Sequence, residues 1–554
     1  MAMIGIIADP AEESAVDEFF ELFKVPWEYH RGDRQYQVVI CAHDAKPDRL
    51  DARLVIVFYG DTTAYDEEWK IPIQSRRLGS TLSYAGRCLP IFGSTVTFCH
   101  SGSNILVKEG SRQCVAYVSA IGERMYARIG YDLFREVQAL ISQGQNPANA
   151  AIPTLDLHIA FLRDLIVGCG IPLLEIPPLP DRYPFITCLT HDVDHASIRR
   201  HKLDRTMFGF LYRATLQSPI NLIRGRLSLT NLLLNWSAAA RLPFVHLGLA
   251  KDFWDQFERY LAIDKGHPST FFVIPFEGRP GRTLDGAAPL LRACRYDVSH
   301  IAAKIPELTS RGCEIGLHGI DAWIDSSKGR EEAQRIYDIS GISTIGVRMH
   351  WLYLNLDSPA RLDEAGFFYD STIGYNETVG YRAGTSQVFN PLPGRRILEL
   401  PLHIMDTALF YPGRLNLSAL EAWEKLAPMF DNAVRYGGVL TINWHDRSIA
   451  PERCWGAFYS QVLDCLENRG PWFATGTQAV HWFSRRRSVT FDEIEASRSF
   501  RVKVPASTDD KTLPSMRLRI HQRRGPIGPW HSSLDNNYDH RDICLGTDMD
   551  ICVP

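Results

Sequence analysis

From about residue 183 onward the chain repeats one rhythm, a short apolar run followed by a helical stretch. FITCLT, STFFVIPF, EIGLH, GVRMH, ILELPL and VLTIN read as strands. Patterns such as RLDEAGFFYD and ALEAWEKLAPMFDNAVRYG separate several of them and read as helices. This alternation predicts a parallel α/β barrel or sheet. In barrels the chemistry sits at the C-terminal ends of the strands, and nearly every strand-like run here ends on an acid, a histidine or an arginine.

The 554 residues are far more than one small core needs. In residues 1–150, ARLVIVFYG and CVAYVSA read as strands and YDLFREVQALISQG as a helix ending on Gly144. An α/β accessory domain is expected there, of unassigned role. Residues 151–182 hold a helical stretch and the proline-rich IPLLEIPPLPDRYP, which breaks any helix and marks a boundary. Residues 183–489 form the barrel-like unit. Its rhythm is interrupted at about 205–250 by an apolar segment carrying Arg224, Arg226, Asn231, Asn235 and Arg241, read as an inserted amphipathic helical element. Its expected role is a lid or a partner-packing element, in preference to membrane contact. Residues 490–554 are polar, with weak strand signals in SFRVKV and MRLRIH, and are expected to be a small β-appendage or tail.

Hydrophobic residues make up 45% and charged residues 22%, and the net charge is −4. Neither half is strongly basic, so nucleic acid is not an expected partner. The run Arg485-Arg486-Arg487 reads as a solvated helix end. No stretch of about 18 apolar residues suggests a transmembrane helix. MAMIGIIADPAEESAVDEFF lacks the basic and apolar regions of a secretory leader. Twelve cysteines without a C-x-x-C pair fit reduced, mostly buried thiols. A cytoplasmic location is the expectation.

Five clusters carry candidate chemistry. Thr190-His191-Asp192-Val193-Asp194-His195 follows a strand and brings two carboxylates near one point, where a cation relieves their repulsion. The others are Glu314–Gly319 with His318, Val347–Trp351 with Arg348 and His350, Leu400–Asp406 with His403 and Asp406, and Leu440–Asp446 with Trp444 and His445. Each alone reads as readily as structure: a D-x-D is a turn or cap about as often as a site, and a lone histidine is more often a core residue. Their joint placement at successive strand ends shifts the balance.

In order and content these segments resemble the five motifs of the polysaccharide deacetylase family. The resemblance covers about 300 residues, and THDVD matches the first motif in a variant with one residue between the acids. It implies a distorted (β/α) barrel and metal-dependent removal of N-acetyl groups from a sugar, polysaccharide or glycan precursor. It implies that Asp192 is the general base on a metal-bound water, that Asp194 and His318 are ligands, that Arg348 holds the base ionised, that Asp406 orients a histidine, and that His445 is the general acid. These roles agree with metal-assisted and acid–base chemistry. The chain departs from the pattern where the second motif has a further histidine four residues on: Ala322 stands there. His350 is the first candidate replacement, then Asp321, then His195. Histidine with carboxylate suits Zn2+, with Co2+, Ni2+ or Mn2+ as other fits. Trp351, Tyr369, Asp370, Ser371, Arg382 and Trp444 are expected to bind substrate, although turn chemistry and packed rings explain Tyr369–Ser371 and Arg382 equally well. Two other readings stand beside this one: hydrolysis of a different C–N bond, and a non-catalytic carbohydrate-binding protein on a decayed site.

Overall fold

The computed structural model describes residues 3–42, 50–68, 70–99, 104–110, 113–225, 227–392, 396–494, 499–505, 512–524, 538–546 and 548–551. The chain divides into two compact units. One comprises Met1–Arg182, Arg382–Leu392 and His481–Pro554; the other comprises Tyr183–Tyr381 and Pro393–Val480.

The second unit is built on nine parallel strands: β1 (Ile186–Val193), β2 (Ser269–Val273), β3 (Glu314–Gly319), β4 (Gly346–Met349), β5 (Tyr369–Asp370), β6 (Leu398–Glu399), β7 (Ile404–Met405), β8 (Val439–Asn443) and β9 (Trp472–Phe473). The order is β6-β5-β4-β3-β2-β1-β8-β7, with β9 beside the start of β1. Strand β1 is buried along its whole length, as a strand covered on both faces must be. The edge strands β6 and β7 are consecutive in the chain, separated only by Leu400-Pro401-Leu402-His403. That bridge is tied to both sides: the Leu400 N–H donates to Asp370 O, and the His403 N–H to Thr441 O. The sheet therefore curves into an incompletely closed barrel, in line with the expected distorted (β/α) barrel. All six runs read as strands from the sequence fall on its strands, while the two-residue strands at 369, 404 and 472 were not foreseen.

The insertion is helical. It comprises α1 (Arg205–Leu211), a π-helical stretch Tyr212–Gln217, α2 (Ser218–Ile223) and α3 (Leu229–His246). Arg226 lies outside the described residues.

The first unit is centred on a nine-stranded mixed sheet. Strands Trp27–Tyr29, Ile4–Ile7, Tyr36–Cys41, Ala52–Phe58 and Arg124–Ile129 run parallel. Cys114–Ile121, Arg87–Phe98, Ile73–Tyr84 and Asn104–Lys108 continue antiparallel. By compactness, residues 151–182 and 481–554 group with this unit. The Thr154–Gly168 helix belongs to this unit, and its buried Asp156 accepts hydrogen bonds from Thr385 Oγ1 (2.6 Å) and from the Ser386 N–H (3.1 Å). Of the C-terminal residues, Thr490–Ile494, Ser499–Lys503 and Met549–Ile551 form a three-stranded sheet, while Met516–Arg523 pairs antiparallel with Leu173–Glu175. Such long-range pairing leaves no local trace in the sequence. The solvated reading of Arg485–Arg487 is corrected. Arg486 is fully buried, donating to the carbonyls of Glu21, Leu22 and Ile176. Arg487 makes a two-pronged ion pair with Glu18, so the run ends the Gly476–Ser488 helix by satisfying buried acceptors.

Candidate metal centre

Side-chain alternation along β1 sends Thr190 and Asp192 to one side and His191 to the other. His191 is a core residue: it packs on Tyr260 and Phe271 and hydrogen-bonds Trp444 O (2.9 Å) and Asp264 Oδ2 (3.1 Å). Asp192 is buried and held from three directions. Arg348 Nη1 donates to its Oδ1 (2.9 Å), Asn443 Nδ2 donates to its Oδ2 (2.8 Å), and its own N–H donates to Asn443 Oδ1 (3.1 Å). Burial alone would raise this carboxyl, but the Arg348 guanidinium overrides it and holds Asp192 below the usual carboxylate range.

Arg348 is itself fully buried. It donates to Thr190 Oγ1 (2.8 Å), Ser371 O (3.0 Å) and Ser371 Oγ (2.8 Å), and its guanidinium lies 4.4 Å from the centre of the Phe272 ring. His318 pairs directly with Arg348 across β3 and β4. Its Nδ1 donates to the Arg348 carbonyl (2.9 Å), which leaves Nε2 as a free lone pair facing the carboxylates. A ligating histidine is oriented in this way by a backbone acceptor on its other nitrogen.

Asp194 Oδ1 lies 3.4 Å from His318 Nε2 and 3.5 Å from His350 Nε2. It is buried with no hydrogen-bond partner. Asp194, His318 and His350 place one ligand atom each within 4.8 Å of one another. Ligand atoms about 2.0–2.1 Å from a tetrahedral Zn2+ stand about 3.4 Å apart, so the spacing and the orphaned oxygen fit a divalent cation. Burial lowers His350 to about 3 and keeps it neutral, the form a metal needs. The other two replacements for the missing histidine point elsewhere. Asp321 Oδ1 accepts the Arg282 N–H (2.8 Å), and His195 Nδ1 meets His201 Nε2 (3.2 Å).

His445 Nδ1 is 2.6 Å from Asp406 Oδ1, and Asp406 Oδ2 accepts the His445 N–H (2.7 Å). His445 Nε2 is 3.9 Å from Asp194 Oδ2. Burial disfavours the imidazolium, but Asp406 outweighs it and raises His445 to about 9. The seven residues Asp192, Asp194, His318, Arg348, His350, Asp406 and His445 thus converge at the C-terminal ends of the strands, with Asp192 Oδ2 3.8 Å from His318 Nε2 and His445 Nε2 3.9 Å from Asp194 Oδ2.

No family model matches the chain, and no curated protein matches it. Polysaccharide deacetylases stand among its structural neighbours. One, from Bacillus cereus, is 13% identical over 52% of this chain and 91% of that one, with a TM-score of 0.25. The carbohydrate deacetylase Agd3 is 8% identical and is covered to 99%, as is this chain, with a TM-score of 0.34. The Puue allantoinase is 16% identical over 56% of this chain and 93% of that one, with a TM-score of 0.35. Likenesses of this degree carry no functional argument, which rests instead on the residues of the site.

Five of the expected substrate-binding residues are placed otherwise. Tyr369 is buried at the opposite ends of the strands, with its hydroxyl on Glu314 (2.8 Å). Its side chain fills space that only glycine leaves open: a Cβ at Gly346 would lie 2.1 Å from its ring, and one at Gly476 would lie 2.1 Å from its hydroxyl oxygen. Ser371 is spent on Arg348 and on Leu400 O (2.8 Å). Trp444 is buried, stacked 5.0 Å from Tyr459. Asp370 is buried beside Glu399, its partner across β5 and β6, and burial raises it to about 6. Arg382 lies in the first unit. Trp351 adjoins His350, is 37% exposed, and sits at φ 63 beside Leu352 at φ 54. Two successive non-glycine residues in the left-handed region are costly and concentrate at functional sites.

Sequence reasoning gave no role to Thr190 and Asn443, although both stand in its motifs, and missed Arg292 altogether. Asn443 was findable, since it stands two residues before His445 and shares its side of the chain. Arg292, which ties the carbonyls of Ile320 (3.0 Å) and His350 (2.9 Å) together, had no local signal.

Proposed function

We propose that the second unit is a metal-dependent hydrolase that removes N-acetyl groups from a glycan or glycan precursor. The observation that carries this reading is the orphaned Asp194 Oδ1 within 3.5 Å of His318 Nε2 and His350 Nε2, with Asp192 and His445 beside that set. Asp194, His318 and His350 would hold the cation, Zn2+ by donor type. A divalent cation there would lower the pKa of a water and polarise the acetyl carbonyl.

The chain's own groups supply the proton traffic. Asp192, kept ionised by Arg348 and Asn443, accepts the proton of the attacking water. His445, protonated and fixed by Asp406, delivers a proton to the departing nitrogen; amide cleavage needs this because an amine anion is a poor leaving group. Trp351, exposed beside His350, offers an apolar ring face on which a sugar can stack. A decayed binding site would have no need of both the fixed carboxylate and the fixed imidazole. The test is acetate release from an N-acetylated glucosamine oligomer, with Asp192→Asn as the inactive control that keeps its metal. An oligomer that binds without releasing acetate would favour the non-catalytic reading.

A further inference from the structure

The insertion turns an unusual surface to solvent. Thirteen of the twenty-four exposed large hydrophobic side chains among the described residues lie between Leu203 and Leu249. They are ordered. Along α3, Leu229, Leu233, Trp236, Ala240, Phe244 and Leu247 follow one another at spacings of four, three, four, four and three residues, which places them on one stripe of a helix. Along α1, the π-helical stretch and α2, Phe208, Tyr212, Leu216, Ile220 and Ile223 do the same. Exposure in these two stripes runs from 44% at Ile220 to 86% at Ile223, among the side chains larger than alanine.

The opposite faces account for the fold of the insertion. Met207, Phe210 and Ala214 pack against Ala238, Leu242 and Val245, with Trp254 and Ala450 beneath them. The Asn235 side chain hydrogen-bonds Ser218 Oγ (2.6 Å) between the two helical stretches. The outer stripes are therefore not needed to build the insertion, and an ordinary water-facing surface would be polar there.

Charge indicates what covers them. From Ser197 to Ala250 the chain has eight Lys or Arg residues and one acid, Asp204. Lys202, Arg205, Arg224 and Arg241 are exposed and have no acidic partner among the described residues. A second copy of the same face would bring like charges together. An anionic lipid surface answers both features, headgroups for the arginines and acyl chains for the Leu, Ile, Phe and Trp stripe. Among the described residues no helix is long and apolar enough to cross a membrane, so the contact inferred is in the plane of the interface. We infer that the outer face of the 203–249 insertion docks on an anionic phospholipid bilayer. The sequence alone suggests a lid or partner-packing role for this segment.

The experiment is co-sedimentation of the full chain with vesicles of phosphatidylglycerol and phosphatidylcholine, beside vesicles of phosphatidylcholine alone. The expected result is at least roughly tenfold stronger partitioning on the anionic vesicles, weakened by salt, as an interfacial basic helix requires. The triple variant Leu233→Gln, Trp236→Gln, Phe244→Gln should lose that partitioning while keeping its thermal midpoint, because the changed side chains face solvent. Absence of binding to anionic vesicles would overturn the inference, whether the protein is then a monomer or a dimer that the triple variant dissociates. Equal binding by wild type and variant would overturn it as well.

Discussion

His445 Nδ1 lies 2.6 Å from Asp406 Oδ1, and the same carboxylate accepts the His445 N–H. One side chain therefore fixes both the ring and the backbone of the imidazole, and holds it protonated against burial. His445→Ala should slow amide cleavage by roughly 10²–10⁴, the usual worth of a proton donor. Asp406→Asn should give a milder loss. The loss at His445 should be smaller on an acetate ester, whose leaving group needs its proton less. Steady-state rates on paired amide and ester substrates check this.

The same pair sets a pH dependence. His445 is raised from 6.5 to about 9, so its acid form is populated below that point and lost above it. Asp406→Asn removes the charge that raises it. The alkaline limb of kcat against pH should then move to lower pH, whereas a merely structural role for Asp406 would scale the profile without moving it.

Arg348 and Asp192 form a buried ion pair in which each needs the other. Arg348→Met leaves a buried carboxylate without its cation and should cost about 3–5 kcal/mol. Asn443→Ala leaves one N–H and one carboxylate oxygen short of a partner and should cost about 1–3 kcal/mol. Denaturant unfolding of the three proteins orders them wild type, Asn443→Ala, Arg348→Met.

Acid stability of the first unit carries a separate signature at His158, buried with Tyr131 Oη 3.0 Å from its Nδ1. Burial lowers it from 6.5 to about 3. The unfolded chain takes this proton near pH 6.5 and the folded chain refuses it, so the stabilisation is complete above pH 6.5 and is lost as pH falls toward 3. Each unit in that window costs about 1.4 kcal/mol. His158→Gln should make the slope of stability against pH shallower by that amount, measured by denaturant unfolding across the window.

The barrel strands and the seven central site residues were legible because each reads locally: an apolar run, then a polar residue at its end. His350 was legible as a candidate ligand because Ala322 left a gap in a known order, and it stands with Asp194 and His318 in a group that could hold a metal ion. Substrate contacts were not, because Tyr369, Ser371 and Trp444 look like sugar-binding residues in sequence and differ only in which way the backbone turns them. Side-chain alternation between Asn443, Trp444 and His445 separates the inward pair from the core tryptophan once the strand is fixed. Arg486 shows the opposite error, a charge run taken as solvated because its acceptors come from residues 21, 22 and 176.

The ligand set makes the most direct demand. Zn2+ content of the purified full chain should be near stoichiometric in wild type and in Asp192→Asn, and lost in Asp194→Asn and His318→Ala. It should be weakened in His350→Ala. Acetate release from an N-acetylated glucosamine oligomer should follow metal content in every variant except Asp192→Asn, which should hold metal and release none. A wild-type protein that binds no divalent metal and releases no acetate, or a His350→Ala variant with unchanged metal affinity, would contradict the account.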